Sequence, residues 1–204
     1  MNPFDVAVFH AINNLSGHIS WADAILSFVA QYALEIYGLF FIAFWFFLPR
    51  SKIETRHSLV LAVFSGVLAL LINVIISHIW ARPRPFVTLP QGTYHQLIPH
   101  PADASFPSDH GSGGTAIASA TWGKSKWVSR IFTIFTAIML FSRIYTGVHW
   151  PTDILASIIV GLFSSWVIRK YSRFFYPVTK TIVRILHLQP RHNREDHVGS
   201  FKRL

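Results

Sequence analysis

The sequence predicts an all-α integral membrane protein with about five transmembrane helices. Two observations carry this. Apolar residues make up 51% of the chain and charged ones only 13%, and the apolar residues fall in long unbroken runs. A run of about 18 or more with few charges is a transmembrane helix candidate. Lys and Arg, in turn, with three exceptions, gather in alternate links between those runs and after the last of them, as expected of a chain threaded back and forth through a bilayer. Helices follow because an open strand edge leaves backbone groups unsatisfied in hydrocarbon.

The elements read in order as follows. The first twenty residues lack a basic start and an unbroken apolar core, so no cleavable signal peptide is expected. Residues 3–15 suit an outer-surface helix, with a sixth span as the alternative. Residues 22–48 form the first span, with Glu35 inside it, and residues 58–80 the second. A loop rich in Pro and His covers about 81–107. Residues 108–122 are small rather than greasy and make the weakest span. Residues 130–148 and 151–168 are the fourth and fifth. In 174–188, Val178, Ile182, Ile185 and Leu186 recur at roughly helical spacing, which predicts a helix along the inner membrane surface. The polar tail 189–204 is expected to be disordered. The chain reads as one domain over 1–188, without internal repeats.

No Lys or Arg precedes Arg50. Arg50, Lys52 and Arg56 lie in the first link, Lys124, Lys126 and Arg130 in the third, and the rest of that set follows the last span. Five spans put all of these on one side, which the positive-inside rule makes cytoplasmic, with the N-terminus outside and the C-terminus inside. The net charge of +9 is therefore assigned to topology rather than to nucleic acid. Arg82, Arg84 and Arg143 break the pattern and fall at the outer end. An ionised residue at membrane depth is costly and is a functional hypothesis by default.

Three segments converge on that outer end: ARPRPF (81–86), PSDH (107–110) and SRIYTGVHWPTD (142–153). Together they supply guanidinium forks, two histidines, a helix start and a carboxylate, and the chain has no cysteine. Guanidinium pairs bidentately with phosphate oxygens, and a helix N-terminus offers free N–H groups to an anion. Ser108 suits the N-cap of that helix. Pro151 suits the first position of the next one, which puts Asp153 in its first turn, where it can hold one nitrogen of His149 and leave the other free. Each element has a structural alternative: interfacial anchoring for Arg82 and Arg84, a polar helix end for His110, a structural pair for His149 and Asp153. Metal ligation by the two His and two Asp is a further alternative, disfavoured by the abundance of Arg.

At these residues the sequence resembles the type 2 phosphatidic acid phosphatase superfamily of membrane lipid phosphatases. Its third motif is complete as Ser142, Arg143, His149 and Asp153. Its second appears as Pro107, Ser108, Asp109 and His110, with Asp109 where glycine is usual. Its first is partial: Arg84-Pro85 match, but Ser77 stands at the lysine position, and Arg82 is a candidate replacement for the missing cation. The resemblance implies that His149 is the nucleophile, Asp153 its orienting group and His110 the general acid and base. Arg84, Arg143, Ser108, Arg82, Asp109 and Ser142 then make up the candidate phosphate-binding set, with no metal and no cofactor.

The loop from Leu97 to His110 further resembles bacterial undecaprenyl pyrophosphate phosphatases of the bacitracin-resistance type. That resemblance implies a polyprenyl diphosphate substrate, handled at the outer face of the bacterial cytoplasmic membrane in carrier-lipid recycling. Two alternatives stay open: a broad lipid phosphatase acting on phosphatidic acid or phosphatidylglycerol phosphate, and a non-enzymatic phospholipid binder or transporter. The sequence leaves the oligomeric state undefined.

Overall fold

The structure, a computed structural model, describes residues 2–186; the tail 189–204, expected to be disordered, lies outside the described residues. All regular elements among them are helical: α1 (Pro3–Asn13), α2 (Ser20–Phe47), α3 (Ile53–Ile79), the short α4 (Pro85–Thr88), α5 (Asp109–Ala120), α6 (Lys126–Tyr145), α7 (Pro151–Lys170) and α8 (Ser172–Ile185). Four of these, α2, α3, α6 and α7, are long and apolar enough to cross a membrane. Their outer faces carry exposed Leu34, Leu39, Ile75, Ile134 and Ile159, side chains that hydrocarbon solvates. This is a multi-pass membrane protein.

The weakest expected span, 108–122, is the 12-residue helix α5. At 1.5 Å per residue it covers about 18 Å, short of a bilayer core of about 30 Å. It is not a lipid-facing span but the centre of the bundle, enclosed by α3, α6 and α7. Small residues make that possible. A Cβ on Gly111 would collide with the Ser157 side chain of α7, and one on Gly161 would lie 2.6 Å from the Ser112 carbonyl. Close helix approach of this kind suits membranes, where packing replaces the hydrophobic drive between helices. α5 runs antiparallel to α3: Asp109 sits beside Asn73, and just past the other end Lys124 meets Glu54 at 3.2 Å. Its first turn therefore lies about two turns below the end of α3 at Ile79, so the chemistry it carries is recessed into the bundle. α1, at 11 residues, is too short to be a sixth span.

α2 is kinked at Tyr32 (φ −109°, ψ 21°). Arg143 Nη1 donates to the Ala30 carbonyl here (2.8 Å), and a side chain entering the helical ladder is a recognised cause of kinks. Below the kink, α2 and α6 share an aromatic core of Tyr37, Phe40, Phe132 and Phe135, and Tyr37 Oη bonds Thr136 Oγ1 at 2.7 Å.

The end of the bundle away from Asp109 carries Arg50, Lys52, Lys124, Lys126, Arg169 and Lys170 in its links and helix ends. Arg56 belongs there too but is structural. It is fully buried and donates to the carbonyls of Trp45, Leu48 and Pro49, capping the orphan acceptors at the end of α2. The expected surface helix is α8. It docks on α3 through Thr179 Oγ1 on His57 Nδ1 (2.8 Å) and Phe175 on Phe64 (4.6 Å between rings). Val183 and Thr179 form the packed face, while Phe174 and Ile185 are exposed.

Candidate active site

α6 ends at Tyr145, three residues before the expected limit of 148, because the chain turns through Gly147 (φ +81°). A Cβ at Gly147 would collide with the His95 backbone carbonyl. The turn is pinned by Val148 and His149 N–H groups on the Arg143 carbonyl (3.2 and 3.3 Å). It delivers His149 to the bundle interior at 2% exposure. α7 then starts with Pro151, and Asp153 at its third position accepts from the Trp150 N–H at 2.9 Å, completing the cap.

That cap carboxylate also faces His149 Nδ1 at 3.4 Å. On the other side of the ring, Nε2 lies 3.2 Å from Arg84 Nη1 and 3.2 Å from Ser108 Oγ. A guanidinium only donates, so Nε2 accepts and is bare, and the ring proton is on Nδ1 toward Asp153. Ser108 Oγ accepts from the Gly111 N–H at the start of α5 (3.3 Å), which leaves its own proton for Nε2. Burial, then the guanidinium groups of Arg143 and Arg84, push the His149 pKa well below the usual imidazole value. The result is a neutral imidazole with its free nitrogen aimed at a cationic pocket.

Arg84 is held by Asp103 Oδ1 on Nε (2.8 Å), the Val148 carbonyl on Nη1 (2.9 Å) and the Ala104 carbonyl on Nη2 (3.3 Å). Arg143 is 2% exposed, and its Nε and Nη2 are buried with no partner among the described residues. Buried unpaired donors are rare and costly, and here they fit an anion. His110 sits in the first turn of α5 and lines, with Asp109, one end of a cavity of about 460 Å³ between α2, α3 and α5. Among the described residues no three His, Asp or Glu group together as a metal site. The donor set suits a phosphate instead.

Residues 58–176 match the PAP2 superfamily. The chain belongs to that superfamily. Relatives with curated names include the "Undecaprenyl-diphosphatase BcrC" of Bacillus subtilis, 37% identical over 87% of this chain and 89% of that protein. An "Undecaprenyl-diphosphatase" of Sulfolobus acidocaldarius is 30% identical over 80% of this chain and 75% of its own. The crystal structure of Aquifex aeolicus LpxE superposes with a TM-score of 0.66 at 21% identity, covering 82% of this chain and 96% of that one, which shows a shared fold.

The PAP2 motifs thus come together as His149, Asp153, Ser108 and Arg84 in direct contact, with Arg143 and His110 near enough to act on the His149 ring. Three expected phosphate ligands are placed differently. The hydroxyl of Ser142 donates to the Met139 carbonyl of its own helix at 2.7 Å. Asp109 accepts from Asn73 Nδ2 (2.8 Å), and Ser112 Oγ donates to the Asn73 side-chain oxygen Oδ1 at 3.0 Å, so the acid is tied to α3. Arg82 faces acids: Asp153 Oδ1 at 2.8 Å and Asp5 Oδ2 at 2.6 Å. Its guanidinium is paired with the carboxylate that faces His149 and is not a free cation.

Sequence reasoning missed Asp5, Thr152, Asp103 and His100. Asp5 accepts from the Thr152 N–H (2.9 Å) and hydroxyl (2.7 Å) as well as from Arg82. Nothing in a short N-terminal helix signals such a partner. Asp103 and His100, three apart in a proline-rich loop directly before PSDH, carried a readable signal.

Proposed function

We propose that this PAP2 protein is a membrane lipid phosphatase that removes the terminal phosphate of undecaprenyl diphosphate through a phosphohistidine on His149. The observation that carries the reading is the bare Nε2 of a buried, neutral His149, backed by Asp153 and facing Arg84 and Ser108, with the buried guanidinium of Arg143 close enough to act on the ring. A non-enzymatic binder has no use for an oriented imidazole among phosphate donors. The lone pair of Nε2 attacks the terminal phosphorus, and the bond to the bridging oxygen breaks. His110, which takes up a proton from solvent as the diphosphate brings in its negative charge, delivers it to that oxygen as polyprenyl phosphate leaves. Arg84, Arg143 and Ser108 hold the charge that spreads over the phosphoryl oxygens. Water then attacks the phosphohistidine from the vacated side and gives its proton to His110. The nitrogen–phosphorus bond breaks and inorganic phosphate is released.

The choice of lipid is supported by the curated names of the relatives and by the cavity beside His110. Leu34, Phe41, Val67, Leu70 and Ile117 give it an apolar wall suited to an isoprenoid chain. We place the catalytic end at the outer face of the bacterial cytoplasmic membrane, because the basic links gather at the opposite end. The test is phosphate release from undecaprenyl diphosphate by purified protein in detergent, wild type beside His149→Ala, with phosphatidic acid as a parallel substrate. Turnover retained by His149→Ala defeats the mechanism, and faster turnover of phosphatidic acid defeats the substrate assignment.

A further inference from the structure

The lysine that the first PAP2 motif usually supplies is Ser77 here, and its hydroxyl donates to the Val74 carbonyl (3.1 Å) at the exposed end of α3. Arg82 does not replace it, since Asp5 and Asp153 occupy that guanidinium. The pocket therefore lacks one fixed cation. A third imidazole stands at the same place. His100, on the loop between α4 and α5, packs edge-on to His149 with ring centroids 6.3 Å apart and planes at 75°. Its Nδ1 lies 3.1 Å from the Pro101 carbonyl. A carbonyl can only accept, so Nδ1 carries the proton and Nε2 is the ring's free atom.

The charged and titratable groups bearing on this ring are Arg84, Arg143, His110 and His149 on the pocket side and Asp103 on the loop side, 3.7 Å from Nδ1. Asp103 is shared with Arg84 Nε, so its charge is partly spent. In the empty site, burial and the two guanidinium groups hold the imidazole below its ordinary pKa and thus uncharged. A diphosphate brings several negative charges into the same space and reverses that balance.

We propose that His100 is a substrate-binding residue that takes up one proton from solvent when the diphosphate binds and donates Nε2–H to a phosphoryl oxygen, replacing the missing lysine with a titratable cation. This rests on the reading of the pocket as a phosphoryl site. Its Nδ1–H stays on the Pro101 carbonyl, so the protonated ring bridges loop and substrate.

The experiment measures KM, kcat and inhibition by orthovanadate and inorganic phosphate for wild type, His100→Ala, His100→Gln and His100→Lys across about pH 6 to 9, the range in which a histidine changes charge. In wild type, KM and both inhibition constants should rise toward the alkaline end. His100→Ala and His100→Gln should raise them roughly tenfold at neutral pH, the scale of one charge-assisted hydrogen bond, with kcat little changed and the pH dependence flattened. His100→Lys should restore tight binding and keep it to high pH. Should His100→Ala not fold, His100→Gln carries the measurement, since it keeps the ring's approximate volume. Unchanged constants in both variants, or a kcat loss at unchanged KM that lysine does not rescue, overturns the proposal. The vanadate and phosphate constants can be read against any phosphate ester the protein hydrolyses. If wild type ignores undecaprenyl diphosphate while the His100 variants still shift these constants against another hydrolysed phosphate ester, the substrate assignment alone is defeated.

Discussion

Arg82 and Asp5, 77 residues apart in the chain, meet in a 2.6 Å ion pair that fastens α1 over the start of α7. The second nitrogen of the same guanidinium holds Asp153 Oδ1 and Thr152 Oγ1, and the guanidinium carbon Cζ lies 5.4 Å from the centroid of the Trp150 ring. The N-terminal helix is thereby wired to the carboxylate that orients the candidate nucleophile. Asp5 is 1% exposed, and its loss takes one of two carboxylates from Arg82 and the acceptor from the Thr152 N–H. Asp5→Ala should cost about 1–3 kcal/mol of stability, as for a buried donor left unsatisfied, read as a fall in thermal midpoint in detergent.

Arg82→Ala separates two roles that the sequence left joined. A phosphate ligand would chiefly affect KM. A group that orients Asp153 should lower kcat, because His149 loses its alignment while the phosphate cradle of Arg84 and Arg143 stays intact. Steady-state kinetics with a fixed lipid substrate decide it: a KM rise with kcat unchanged would restore Arg82 to the substrate.

The parts of the fold visible in the sequence were those with one physical cause. Long apolar runs fixed α2, α3 and α7 to within a few residues, except for the start of α3. The ends of α6 and the nature of α5 were less readable because they depend on neighbours. Gly147 turns the chain early because the His95 carbonyl blocks any larger residue, and α5 is buried because Gly111 and Gly161 let α7 close on it. At the site, Arg143, His149 and Asp153 were legible because they fall in one short stretch, and Arg84, whose contact with His149 spans 65 residues, because Arg84-Pro85 matches the family motif. Asp5 and Asn73 act through contacts 36 or more residues away along the sequence, and no local pattern encodes those.

Arg143 carries the clearest unpaired charge. Nη1 is used on the Ala30 carbonyl, whereas Nε and Nη2 are buried and free among the described residues. Lysine keeps the charge but can reach either the carbonyl or the anion, not both. Arg143→Lys should lower kcat about 100-fold or more, the usual effect of losing one donor to a developing oxyanion. Equal activity of the two proteins would mean that those nitrogens never meet the substrate.

Stability should fall on the acid side. Burial and the facing guanidinium groups hold both His149 and His100 below the ordinary imidazole pKa, which is about 6.5 in an unfolded chain. Below that value the unfolded state binds protons that the folded state refuses, so stability rises with pH through the window and is complete above it. The thermal midpoint in detergent should drop between about pH 7 and 5, and the drop should be smaller in the double variant His149→Gln, His100→Gln. An identical pH slope in the double variant would rule out these two rings as the cause.

The cavity at His110 gives the last prediction a sharp form. Gly38 on α2 and Gly113 on α5 both line it, and a Cβ built on either meets nothing within 4 Å. Side chains added there enter empty space rather than a packed core, so the fold should tolerate them, and replacing glycine inside a helix gains roughly 0.5–1 kcal/mol in propensity. Gly38→Leu and Gly113→Leu would occupy the volume assigned to the first isoprene units while leaving His149, Arg84 and Arg143 untouched. Turnover of undecaprenyl diphosphate should fall through a higher KM, and a water-soluble five-carbon allylic diphosphate should be hydrolysed as by wild type. Loss of both activities would mean that the leucines disturb the catalytic end. Loss of neither would mean that the chain of the substrate lies elsewhere, along one of the other helix faces.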